Sequence, residues 1–152
     1  MALSLKVLNP PRVWTVPEAF TKIYSHAVQV SDVSKTLYIS GQFGIGPNGR
    51  LPVEFAEQAN LAMDNVEALL AASGTTTGNV VKLTYFLTRP SDAPDLGSIR
   101  RERWSSNEPP AVTAIVVSAL ARPEYLIDIV PVPRRQQPID KRFVIARHLD
   151  SP

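Results

Sequence analysis

The sequence predicts an α+β fold, one mixed sheet with two helices on one face. Three observations carry that prediction. A clear helical period runs over 55–72, a second helix start follows Arg89-Pro90-Ser91-Asp92, and short β-rich runs stand before, between and after the two. The element order is then β-β-α-β-α-β-β. Fourteen prolines fall mostly between the periodic segments, as connections require.

Residues 26–30 (HAVQV) and 36–43 (TLYISGQF) read as strands separated by the turn-like Ser31-Asp32-Val33-Ser34. Over 55–72, Phe55, Ala59, Ala62, Val66 and Leu69 recur at spacings of four and three. Glu57, Asn60, Asp64 and Glu67 take the other faces, and Ser73-Gly74 supplies the stop. Residues 79–88 alternate, with Val81, Leu83, Tyr85 and Leu87 on one face. The second helix is expected from about Pro94 to Trp104. Two last strands, 111–120 and 125–132, are joined through Ala121-Arg122-Pro123-Glu124. Their apolar residues fall on both parities, so both faces are expected to be covered. Beyond Pro133 the basic tail has no sustained period and reads as an extension.

With 152 residues the chain suits a single domain, 1–152, with a full hydrophobic core. Its 44% hydrophobic and 20% charged residues are ordinary for a folded soluble protein. A net charge of +2 gives no argument for nucleic acid or a membrane surface. Without cysteine there is no disulfide framework, zinc ribbon or thiol nucleophile. The two histidines, His26 and His148, have no ligand spacing, so no metal site is expected. Lys6 and Asn9-Pro10-Pro11-Arg12 interrupt what would be a signal-peptide core, and VTAIVVSALA is about half a membrane span. The expected location is the cytoplasm.

Gly44-x-Gly46-x-x-Gly49 matches the G-x-G-x-x-G of dinucleotide-binding loops. That fingerprint needs its last glycine at the start of a helix, whose N–H groups hold the pyrophosphate. Here Pro47-Asn48-Gly49 is turn chemistry, Pro52 follows, and the helix begins only near Phe55. The glycines therefore read as a loop, with Asn48-Gly49 accepting positive φ. Gly41, at the end of a strand, reads as a point of close approach by a ligand or another backbone.

Tyr24-Ser25-His26-Ala27-Val28 and Leu37-Tyr38-Ile39-Ser40-Gly41-Gln42 resemble the Y-S-x-A-V and L-x-x-S-G-Q blocks of the reactive-intermediate deaminase family. This is the Rid/YjgF family, also labelled endoribonuclease L-PSP. The resemblance continues through Glu57-Gln58-Ala59, Asn65-Val66-Glu67-Ala68-Leu69-Leu70, Ala72-Ser73-Gly74, Asn79-Val80-Val81-Lys82 and Pro110-Ala111. It covers about 22–133, leaving 1–21 as an N-terminal extension and 134–152 as the tail. It implies a chorismate-mutase-like subunit, a homotrimer, and clefts between subunits that hydrolyse enamines or imines without metal or organic cofactor. Strands apolar on both faces with two helices to cover one of them point independently to a partner for the other.

The resemblance also implies site residues. Asp128 stands where the family has its catalytic glutamate, one methylene or about 1.5 Å shorter. Tyr24 matches the cleft tyrosine, and Ser40 and Gly41 match the strand end that lines the cleft. Gly97 falls where many members have asparagine. Val112 replaces the arginine of the family's P-A-R step, whose guanidinium pairs a substrate carboxylate. Arg100, Arg101 and Arg103 are near in sequence but are expected on the helix surface. The implied reaction is hydrolytic deamination of a small imine or enamine that is not a simple 2-imino acid. The alternatives are a non-catalytic ligand-binding or regulatory trimer and, with less support from charge, a ribonuclease or translation inhibitor.

Overall fold

The computed structural model describes residues 4–12, 15–31 and 35–135. Its regular elements are β1 (Ser4–Leu8), β2 (Ala27–Ser31), β3 (Lys35–Thr36), β4 (Gln42–Phe43), α1 (Phe55–Ala72), β5 (Val80–Leu87), α2 (Ala93–Arg103), β6 (Ala111–Val116) and β7 (Ile127–Arg135). The main sheet runs β3-β7-β5-β6, with β4 also on β7. The β5/β6 pair is parallel and the β7 pairs are antiparallel, so the sheet is mixed as expected. Among the described residues no helix is long and apolar enough to cross a membrane.

Helix α1 occupies the expected span and ends at Ser73-Gly74, where Gly74 takes φ 70°. Its buried stripe is Phe55, Ala59, Ala62, Met63, Val66 and Leu70. Leu69, expected inside, is 40% exposed, because the stripe continues from Val66 by four residues rather than three. The stripe packs on Leu83, Tyr85, Leu87, Ile127 and Ile129 of the sheet, joined by Leu96 of α2. Buried Gln58 ties α1 to the β7 entry. Its Nε2 donates to the Pro52 and Glu124 carbonyls (2.8 and 2.9 Å), and its Oε1 accepts from the Leu126 amide (2.9 Å). Arg103 ties α2 to α1, donating to Asn60, Asp64 and Glu67.

Three elements differ from the sequence pattern. No element is expected before residue 26, yet β1 pairs antiparallel with β2 from Ser4↔Ser31 to Leu8↔Ala27. The expected strand 36–43 is broken: the ladder to β7 lapses over Leu37–Gly41 and its register shifts across the gap. The lapse lies opposite Pro131 and Pro133, which have no N–H to give. Finally, β6 stops at Val116, where its partner β5 has ended, with one last bond from the Val117 amide to the Leu87 carbonyl (2.8 Å). The start of β6 is partly covered, Val112 packing against the core, but its far half is not covered as its apolar content predicts: Ile115 is 42% and Val116 45% exposed. The tail beyond Arg135, with His148, lies outside the described residues.

Candidate functional site

Strand β7 turns Ile127 and Ile129 into the core, so Asp128 points to the opposite face of the sheet, the one without helices. There it sits opposite Phe43 of β4 and Phe86 of β5. The carboxyl is half-buried, and its Oδ1 is enclosed with no hydrogen-bond partner among the described residues. Burial pushes its pKa above the usual carboxylate range, with the Ile129 backbone amide acting against the rise.

The carboxyl rests on Gly41. A Cβ at Gly41 would meet Asp128 Oδ1 at 2.2 Å and Oδ2 at 2.5 Å, inside any real contact. A close approach is made at this glycine, but by the Asp128 side chain rather than by the ligand or backbone expected there. Gly44 is held for a different reason: its Cβ would strike the α1 backbone, 2.3 Å from the Gln58 carbonyl oxygen. Gly49, at φ 80°, closes the following turn with a bond from its amide to the Gly46 carbonyl (2.9 Å). Each of these glycines has a packing or turn role, and α1 begins only at Phe55.

Tyr24 is half-buried, and its hydroxyl bonds His26 Nδ1 at 2.8 Å. Its segment is fixed against the start of β6: the Ser25 amide donates to the Pro110 carbonyl (3.0 Å) and Ser25 Oγ to the Pro109 carbonyl (2.7 Å). Tyr24 thus lies beside the strand that carries Val112. Val112 is opposite Leu83 and packs against the core, so it shares the helix-covered face and not the face of Asp128. Ser40 is exposed, its carbonyl accepting from Gln42 Nε2 (2.9 Å). Gly97 is buried on α2, where a Cβ would make only an ordinary contact with Arg101, 3.4 Å away. Within one chain, then, Gly41 and Asp128 come together, Tyr24 approaches the Val112 strand, and Gly97 is on the helix layer.

The arginines divide. Arg101 is exposed and Arg103 clamps the helices, but Arg100 is buried, against the surface position expected of it. It lies one helical turn from Leu96, and α2 has too few apolar residues to fill its inner face otherwise. That spacing is a signal the sequence offered.

A mixed sheet of this order with two helices on one face is the class of subunit seen in the Rid proteins. The chain belongs to the endoribonuclease L-PSP family, whose model matches residues 16–132. The RutC family protein YjgH of Escherichia coli is 33% identical over 70% of this chain and 80% of its own length. A 2-iminobutanoate/2-iminopropanoate deaminase of Mus musculus is 39% identical over 65% of this chain and 72% of its own. The Rid-family protein YyfB of Yersinia pestis superposes with a TM-score of 0.76 at 27% identity, covering 86% of this chain and 98% of that one.

Proposed function

We propose that the protein hydrolyses a small imine or enamine to a carbonyl compound and ammonia, in clefts between the subunits of a homotrimer. The observation that carries this reading is the Asp128 carboxyl, half-buried, raised in pKa and with one oxygen free of partners. Such a group is suited to both take and return a proton during a reaction. Asp128 takes a proton from water as the oxygen attacks the carbon of the protonated imine, giving a neutral carbinolamine. It returns that proton to nitrogen as the C–N bond breaks, and takes up the hydroxyl proton as the carbonyl forms and ammonia leaves. An enamine first accepts a proton on carbon to become the imine. Tyr24 assists through its hydroxyl, and Ser40, Gly41, Gly97 and Val112 line the site.

Asp128 and Val112 lie on opposite faces of one sheet, which supports a site assembled from two copies rather than one. The uncovered β6 and the helix-free face supply surface for that contact. With valine at the family's arginine position, a substrate carboxylate has no partner there, a loss of about 2–5 kcal/mol. The preferred substrate is therefore an apolar or ring-containing imine rather than 2-aminoacrylate.

Ammonia release from a panel of imines generated in situ tests the proposal. The wild type is expected to turn over an apolar imine faster than 2-aminoacrylate, and Asp128→Asn to lose about 10²–10⁴-fold while keeping its assembly. Full activity in Asp128→Asn would remove this residue from the mechanism. Failure of every imine would leave the trimer as a ligand-binding protein.

A further inference from the structure

On the helix-covered face of the sheet, β5, α2 and the segment 105–110 surround a cavity of about 120 Å³. That is room for several waters or one small organic molecule. Ile23, Leu83 and Trp104 make its walls apolar, and the exposed Ser105 and Glu108 mark its mouth.

Two polar groups in the wall are buried and under-used. Arg100 is 8% exposed, and its Nη2 donates to the Ile23 carbonyl, at 2.5 Å. Its guanidinium lies over the Tyr85 ring, 4.7 Å from the centroid. Among the described residues no carboxylate pairs with it, Glu108 included. Most of its five N–H donors are therefore unused. Tyr85 is fully buried; its hydroxyl feels the nearby Arg100 guanidinium but makes no full hydrogen bond, and among the described residues it has no acceptor. Burial lifts this hydroxyl to a pKa of about 12, although Arg100 opposes the rise, so it is a donor at neutral pH.

A buried cation without a counter-charge and a buried hydroxyl without an acceptor are both costly, and packing alone requires neither. One anion satisfies both. We propose that the cavity binds a short-chain aliphatic monocarboxylate, its carboxylate paired with Arg100 and accepting from Tyr85, its alkyl end against Ile23, Leu83 and Trp104. The apolar walls disfavour inorganic phosphate, and Glu108 at the mouth disfavours dianions. The site is on the other face of the sheet from Asp128 and does not rest on the deaminase reading.

Trp104 in the wall gives a direct readout. The chain has two tryptophans, so Trp14→Phe leaves Trp104 as the sole reporter. Titrating this variant of the 152-residue chain with butanoate is expected to give a saturable fluorescence change at millimolar concentration, with phosphate weaker. Arg100→Met should abolish the change. Tyr85→Phe should weaken binding about tenfold while raising the stability of the unliganded protein. Asp128→Asn should leave the titration as it was. The proposal is overturned by no saturable change, by a change that survives Arg100→Met, or by phosphate binding tighter than butanoate. Loss of the response in Asp128→Asn would put the carboxylate at the other face and overturn it equally. Should Arg100→Met fail to fold, the Tyr85→Phe titration decides.

Discussion

At the scale of single residues, Asp128 and Gly41 form one device. The folded state holds the Asp128 pKa above its unfolded value, so the folded protein binds the extra proton. The contribution of this group to stability is therefore fully present below the ordinary aspartate pKa of about 3.9 and is lost as pH rises through the folded pKa. Asp128→Asn removes the buried charge and should stabilise the protein at neutral pH, with the gain vanishing in acid. Denaturant midpoints at the two pH values check this, and an equal effect at both would refute the linkage. Gly41→Ala would force the carboxyl aside and should cost about 1–3 kcal/mol. In an Asp128→Ala background the same change should cost almost nothing, a coupling that a double-mutant cycle measures. The sequence made Gly41 legible as a place of close approach and Asp128 as an acid between apolar neighbours. That one rests on the other is a matter of strand pairing, which no local pattern contains. Arg100 was hidden differently: its charge argued for the surface, while its spacing from Leu96 argued for the interior.

At the scale of elements, legibility followed the cause. Helix α1 and strand β5 were readable because an unbroken period runs through each, and their buried faces follow from it. The lapse at Leu37–Gly41 was not, since its cause is two prolines in a partner strand far along the chain. The same holds for β1, whose five residues carry no signal apart from pairing with β2. Gln58 is the polar joint among these elements. Gln58→Leu would strand the Pro52 and Glu124 carbonyls and the Leu126 amide in the interior, and should cost about 3 kcal/mol or more. A fall in the denaturant midpoint with an unchanged slope is the expected record. A neutral substitution would mean that water replaces the amide.

At the scale of the whole molecule, one sheet face is packed under helices and the other is left with Phe86, Val130 and Val132 half-exposed. Edge strand β6 adds Ile115 and Val116, so among the described residues the chain presents apolar surface together with an edge that is unpaired beyond the Ser25↔Ala111 bridge. Isolated, such an edge invites association. Light scattering is expected to give about three times the mass of one chain. Ile115→Glu should lower that mass while circular dichroism stays native. A wild type that remains monomeric at high concentration would refute the trimer, and with it a site shared between copies.

The gap in the ladder between β3 and β4 has a consequence in time. Leu37–Gly41 has no strand partner among the described residues, while the β7 residues behind it are held by β5. Amide hydrogens at 37–41 should exchange with solvent deuterium through local opening, far faster than those of Ile127 and Ile129, which wait for global unfolding. Because Gly41 covers the Asp128 carboxyl, each local opening would also expose that carboxyl to water. Access of solvent protons to Asp128 would then follow the exchange rate of this short segment and be indifferent to the stability of the core.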